Sequence, residues 1–259
     1  MKKAMFLDSS KCMGCKACQV ACKQWNELPA DDVEFVGSYE SPQQFSGNTW
    51  TRIRFKEYLD TNGEMQWIFT KLGCMHCTDA ACEKVCPVQA ISHTDFGTVV
   101  TDVEKCIGCG TCVANCTFKV IAFDAEAKLP KKCTFCYDRL AVGGIPACAK
   151  TCPSGAITFG DRDEIIALAQ ERLNEVRSGS FPNADLYGID ELSGMGMIYL
   201  LEEGKDNAEE KYGLPSTPQV STAALILNLA FKPLMVLPAA AMGLAVWFNK
   251  FETVKDKTE

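Results

Sequence analysis

Apolar and polar residues alternate from position 49 to 58 and again from 65 to 72, on either side of Asp60-Thr61-Asn62-Gly63-Glu64. Alternation sends successive side chains to opposite faces of an extended chain, and Asn-Gly suits the twist of a tight turn. This stretch therefore predicts an antiparallel hairpin. A shorter version, "AISHTDFGTVVTD" at 90–102, predicts a second hairpin turning at Asp95-Phe96-Gly97. "VIAFD" (120–124), "AITFG" (156–160) and "GMGMIYLLEEG" (194–204) read as short strands. The period changes over 161–179. Ile165, Leu168, Ala169, Leu173 and Val176 fall on one helical face, Asp161 and Glu164 have capping-box spacing, and Gly179 suits the end. That predicts an amphipathic helix with a structural role.

Two later segments differ from the rest. Residues 203–219, "EGKDNAEEKYGLPSTPQ", are polar and proline-bounded and read as a linker. Residues 220–249 then carry one charge, Lys232. A bilayer-spanning helix needs about 20 apolar residues, and Leu225 to Phe248 is long enough, with Lys232 able to snorkel or to pair with a partner's carboxylate. Pro233 and Pro238 are kinks that membrane helices tolerate, and Trp247 sits where an interfacial aromatic belongs. The expectation is a single transmembrane anchor followed by a polar tail, 250–259; the other reading is an apolar arm buried in a partner protein. Lys250, Lys255 and Lys257 place the tail in the cytoplasm by the positive-inside rule.

Composition narrows the class. A chain of 259 residues, 47% hydrophobic, has room for one large domain or two small ones with an appendage. Its formal charge of −7 and the lack of a basic stripe argue against nucleic acid as a partner. The N-terminal apolar run, "AMFL", is too short for an export signal. Folding that begins in a reducing cytosol disfavours disulfides among sixteen cysteines and favours metal or cluster ligation.

Those sixteen cysteines fall into four groups of four with none left over. Cys12, Cys15, Cys18 and Cys22 are spaced C-x2-C-x2-C-x3-C, and Cys106, Cys109, Cys112 and Cys116 repeat that spacing. Cys74, Cys77, Cys82 and Cys86 are spaced C-x2-C-x4-C-x3-C-P, and Cys133, Cys136, Cys148 and Cys152 are spaced C-x2-C-x11-C-x3-C-P. A short loop can present three thiolates to three corners of a 4Fe–4S cubane, while the fourth cysteine, one helical turn on, faces a neighbouring cluster. Structural zinc separates two pairs by a longer loop, which only the fourth group resembles. The prediction is four 4Fe–4S clusters, which add about −8 to the charge and replace much of an ordinary apolar core. His76 and His93 are expected to be non-ligands, on the surface or behind the ligands. Lys11, Lys16, Lys23, Lys105, Lys131 and Lys132 stand beside ligands and are candidates for softening the negative field. No constellation predicts a catalytic acid, base or nucleophile.

The cysteine order, "KCMGCKACQVACKQWN", "SYESPQQFSGNTWTRIRF" and the apolar C-terminal segment resemble the iron–sulfur beta subunits of membrane-bound formate dehydrogenases, among the electron-transfer subunits of molybdopterin oxidoreductases. The resemblance covers nearly the whole chain. It implies the ligand sets Cys12, Cys15, Cys18 and Cys152; Cys22, Cys133, Cys136 and Cys148; Cys74, Cys77, Cys82 and Cys116; and Cys86, Cys106, Cys109 and Cys112. It implies an α+β fold of two ferredoxin-like modules: an outer one of residues 1–70 and 126–160, and an inner one of 70–125 inserted in it. Helix, strand and linker (161–219) and the anchor (220–249) follow. The implied function is an electron relay from a molybdenum or tungsten pterin catalytic subunit, which oxidises formate, to a membrane cytochrome b and quinone. A cytoplasmic tail then puts the cluster domain on the outer side of the inner membrane, exported already folded with a partner that carries a twin-arginine signal. The equivalent subunit of a hydrogenase, or of a polysulfide, thiosulfate or sulfoxide reductase, has the same array.

Overall fold

The computed structural model describes residues 1–60, 62–124, 126–222 and 226. The short "AMFL" run lies within β1 (Lys3–Asp8), which is buried on both faces. A loop carrying Cys12 and Cys15 leads to α1 (Ala17–Trp25), which holds Cys18 and Cys22 on successive turns. The alternating stretch forms β2 (Thr51–Leu59) and β3 (Met65–Gly73), paired from Thr51 opposite Gly73 to Leu59 opposite Met65. Then come the one-turn helix α2 (Ala81–Lys84), the small hairpin of β4 (Ile91–His93) and β5 (Val99–Thr101), and a second one-turn helix, α3 (Thr111–Ala114). "VIAFD" supplies β6 (Ala122–Asp124), which pairs with β7 (Leu129–Lys131). Beyond α4 (Tyr137–Ala141) and α5 (Ala147–Lys150) lie β8 (Ile157–Asp161), α6 (Arg162–Ser178), β9 (Asp185–Tyr187) and β10 (Met197–Leu201).

Four of these strands make one sheet in the order β8-β1-β10-β9, with β1 and β10 parallel and the outer pairs antiparallel. Its faces divide by strand alternation. Ala4, Phe6, Ile198 and Leu200 pack against Ile165, Ala169, Leu173 and Val176 of α6. Met5, Leu7, Met197, Tyr199 and Leu201 point the other way, into a core shared with Ile53, Ile68 and Leu72 of the long hairpin and with Cys18 and Cys148. So Cys18 and Cys148 line one face of a conventional sheet-and-helix layer. Each large apolar side chain buried there contributes about 1.5–3 kcal/mol, and the expectation that clusters replace much of the apolar core gives way to a fold that also has its own. Arg172 on α6 reaches across to the end of β1, its Nε 2.9 Å from Asp8 Oδ2. Asp8 Oδ1 in turn accepts the Ser10 amide at 3.1 Å, which fixes the turn leading to Cys12.

Several expectations need correction. Asp161 stands at the N-cap of α6, but its carboxylate pairs with Lys3 Nζ at 2.8 Å and bonds no helix amide, so no capping box forms. Leu168 is 40% exposed, outside the buried stripe. Residues 203–219 are not a loose linker. Ala208, Tyr212 and Leu214 are buried, the Tyr212 hydroxyl accepts the Glu203 amide at 2.8 Å, and the Tyr187 hydroxyl donates to the Pro215 carbonyl at 2.8 Å. Three apolar anchors inside a polar run are enough to fasten it. The expected anchor, 220–249, lies outside the described residues except for 220–222 and 226; among the described residues no helix is long and apolar enough to cross a membrane. The chain approaches that segment beside α3, where Thr117 Oγ1 donates to the Gln219 carbonyl at 3.1 Å and Ser221 Oγ lies 3.3 Å from Asn115 Oδ1.

Candidate cluster sites

All sixteen thiols are free of disulfides. The first C-x2-C step of each group turns through a left-handed residue just before its second cysteine: Gly14 (φ +66°), His76 (+49°), Gly108 (+68°) and Phe135 (+62°). Such a residue reverses the loop within one step and lets its amides face inward. At two of the four positions glycine is also required by space. A Cβ on Gly108 would stand 2.3 Å from the Lys128 carbonyl oxygen, and one on Gly14 would stand 2.9 Å from the Phe69 ring.

The folded chain brings thiols of different groups together. Cys12 has Cys15 and Cys152 as electrostatic neighbours, and Cys18 has Cys12, Cys148 and Cys152. Cys22 lies with Cys133 and Cys148, and Cys136 with Cys22 and Cys148. Cys77 lies with Cys74, Cys82 and Cys116, and Cys112 with Cys86, Cys106 and Cys109. The fourth cysteine of every group therefore stands among thiols of another group. One cavity is lined by Cys74, Cys77, Cys82 and Cys116 together with the apolar walls of Ala80, Val99 and Ile121. Several sulfurs receive donors: the Ala90 amide reaches Cys86 Sγ at 3.2 Å, the Phe135 amide reaches Cys133 Sγ at 3.4 Å, and Asn26 Nδ2 reaches Cys22 Sγ at 3.7 Å.

Residues 65–162 match a family described as a 4Fe–4S dicluster domain, and residues 11–90 match a second family of the same description. The chain is 40% identical over 232 residues to the formate dehydrogenase, nitrate-inducible, iron–sulfur subunit of Escherichia coli (strain K12), covering 89% of this chain and 78% of that one. The chain belongs to the formate dehydrogenase iron–sulfur subunits. It is 38% identical over 244 residues to the formate dehydrogenase iron–sulfur subunit of Haemophilus influenzae, covering 93% and 78%. It is 34% identical over 222 residues to formate dehydrogenase 2 subunit beta (cytochrome c-553) of Nitratidesulfovibrio vulgaris, covering 82% and 99%. The fold is accordingly a mixed α/β arrangement of two 4Fe–4S dicluster domains, the architecture of an electron-transfer subunit.

The chemistry of the thiols in this iron–sulfur subunit fits such clusters. Burial, and then neighbouring thiols, push Cys22, Cys133 and Cys136 up to about 12 and Cys112 up to about 11. Thiols this reluctant to ionise become thiolates together only against a strongly electropositive centre, which displaces their protons outright. The opposite charge is built in as well. Lys71 and Lys132 are buried among these sulfurs; Lys132 Nζ donates to the carbonyls of Val99 and Cys133, while Lys71 Nζ has no hydrogen-bond partner among the described residues. Buried cations of this kind demand nearby negative charge, which clusters of about −2 each supply.

The lysines singled out by sequence behave differently from one another. Lys132 is buried as described. Lys23 instead fastens the 27–50 loop, reaching Asp31 at 2.8 Å and the carbonyls of Pro29 and Asn48 at 2.9 and 2.7 Å. Lys105 pairs with Asp102 at 2.9 Å, Lys11 lies 3.8 Å from Asp8, and Lys16 sits over the Phe55 ring at 5.2 Å. Lys131 is half-buried in β7. His76 is buried, with Nδ1 accepting the Val99 amide at 3.0 Å, so the surface alternative for it falls. His93 Nε2 donates to the Cys77 carbonyl at 3.0 Å, and its Nδ1 lies 2.9 Å from Glu83, which puts it behind the thiols. Sequence reasoning missed Lys71. Its alternating strand gave it the same weight as any polar-face lysine, and its burial among thiols depends on groups far away in the chain.

Proposed function

We propose that this subunit is a four-cluster electron wire. Cys12, Cys15, Cys18 and Cys152 hold one 4Fe–4S cluster, and Cys22, Cys133, Cys136 and Cys148 a second. Cys74, Cys77, Cys82 and Cys116 hold a third, and Cys86, Cys106, Cys109 and Cys112 a fourth. The reading rests on one observation above all: the fourth cysteine of each group stands among thiols of another. The outer and inner modules expected from sequence each hold two of these clusters. In this reading a molybdenum or tungsten pterin catalytic subunit oxidises formate to CO2, releasing two electrons and a proton. The electrons move one at a time through the clusters to a membrane cytochrome b and quinone. The exposure of Cys15 and of Cys109, in the first and fourth sets, supports those sets as the ends of the wire. The 220–249 segment, on its length and single charge, anchors the subunit in the inner membrane with the cluster domain outside.

Anaerobic extraction in mild detergent tests the reading. Expected are a brown preparation bleached by formate, four iron atoms per thiol set, and a co-purifying molybdenum or tungsten subunit. A colourless, iron-free preparation sinks it, and nickel with hydrogen–dye activity transfers the subunit to a hydrogenase. Protease protection in intact cells checks the membrane side, and a protected cluster domain overturns that part.

A further inference from the structure

β3 alternates, and Lys71 occupies a position opposite Ile53 of β2 where an apolar residue would be ordinary. The side chain is 4% exposed, and its Nζ has no hydrogen-bond partner among the described residues. It lies close to the backbone of its own strand: a Cβ on Gly73 would stand 3.6 Å from Nζ and 3.6 Å from Thr51 Oγ1. Tyr199, fully buried, donates its hydroxyl to the Lys71 carbonyl at 2.8 Å and pins this part of the strand to the central sheet.

The thiols that act most strongly on the ammonium come from two ligand sets. Cys148, Cys133 and Cys18 are its electrostatic neighbours, and it lines a small cavity with Cys12 and Tyr199. Cys18 belongs to the first proposed set; Cys133 and Cys148 belong to the second. Lys132, the other buried lysine, lies among Cys74, Cys82, Cys133 and Cys116 and already donates to two carbonyls. Lys71 is different because no group among the described residues hydrogen-bonds its Nζ. A bare buried cation is costly unless negative charge stands nearby, and here that charge is the pair of outer clusters.

Adding one electron to a cluster makes it more negative, and a fixed cation close by favours that reduced state. We propose that Lys71 is the charge that raises the reduction potentials of both outer clusters, Cys12/Cys15/Cys18/Cys152 and Cys22/Cys133/Cys136/Cys148, and leaves the inner two little affected. Formate-derived electrons then settle first on the outer pair, where a single buried ammonium serves two sites. Lys71 is a positioning residue for charge: it binds no iron and moves no proton.

The inference rests on the four-cluster reading, and the test separates the two. Lys71→Met keeps length and removes the charge; Lys71→Arg keeps the charge. Both are purified anaerobically with their partner subunits, counted for iron, and titrated electrochemically with EPR detection of each cluster. In Lys71→Met, two of the four midpoint potentials should fall on the order of tenfold in reduction equilibrium, 59 mV for a one-electron couple, while two stay in place. Potentials that do not move, or four that move together, overturn the inference. If Lys71→Met fails to load iron and Lys71→Arg loads, the need for the charge is upheld; if both fail, shape and not charge is what matters, and the inference falls. A wild-type iron content short of four per set fails the cluster reading itself, whatever the variants do.

Discussion

His76 and Phe135 meet edge to face inside the protein, their ring centroids 4.9 Å apart. They occupy the same place in two different C-x2-C loops, and both hold the left-handed backbone that glycine holds in the other two. The rings thus join a loop carrying Cys74 and Cys77 to one carrying Cys133 and Cys136. Gly196 leaves room for them: a Cβ there would stand 3.0 Å from His76 Cβ and 3.6 Å from the Phe135 ring.

The first prediction follows from that contact. Phe135 is fully buried, so Phe135→Ala should destabilise the subunit by about 3–5 kcal/mol through lost packing. Glycine is ordinarily worse than alanine because of its backbone entropy, but at φ +62° alanine is strained and glycine is not. Phe135→Gly should therefore match or exceed Phe135→Ala in stability. Anaerobic thermal melts followed by visible absorbance measure both, and a glycine variant clearly less stable than the alanine one refutes the backbone argument.

Glu202 gives a pH prediction. It follows β10 directly and is itself only 9% exposed. Burial, then Glu203 and Asp8, push its carboxyl up to about 7 against the pull of Lys211. A raised folded-state pKa means that the folded protein keeps a proton the unfolded chain gives up. The stabilisation is complete below the ordinary glutamate range and is lost as pH rises through about 7. Glu202→Gln, which stays neutral, should gain up to about 3 kcal/mol over the wild type at pH 8. That gain should shrink steadily as the buffer approaches pH 5. Denaturant titrations of the anaerobic complex at several pH values measure it; a difference that does not vary with pH refutes the assignment.

Local patterns carried part of this architecture, and distant contacts carried the rest. The long hairpin was legible because alternation and Asn62-Gly63 agree on one turn, and the cluster chemistry because C-x2-C-x2-C crowds thiols as a cubane needs. β1 was not legible, since a strand buried on both faces shows no alternation and "AMFL" is short. The 203–219 stretch was misread because Tyr212 and Leu214 are outnumbered by charges. Nothing local marks Phe135 for a left-handed backbone, where propensity favours glycine, and nothing local tells Lys71 from Lys56 on the same hairpin. Spacing also implied that fourth cysteines cross over, but not to which group; that came from the resemblance.

The crossing itself can be tested by additivity. Mutations that strike one cluster overlap in effect, whereas mutations in separate clusters add. Cys116 follows Cys112 by four residues, yet its thiol stands with Cys74 and Cys77, while Cys112 stands with Cys86, Cys106 and Cys109. Cys74→Ser with Cys116→Ser should then cost no more iron than Cys74→Ser alone, because the second change removes a ligand from a cluster already lost. Cys106→Ser with Cys116→Ser should cost twice as much, although both residues belong to one sequence group. Iron and acid-labile sulfide per subunit, with EPR counting the remaining clusters, decide the matter. If the Cys106 and Cys116 pair behaves as one site and the Cys74 and Cys116 pair as two, each sequence group binds its own cluster, and the crossed arrangement is wrong.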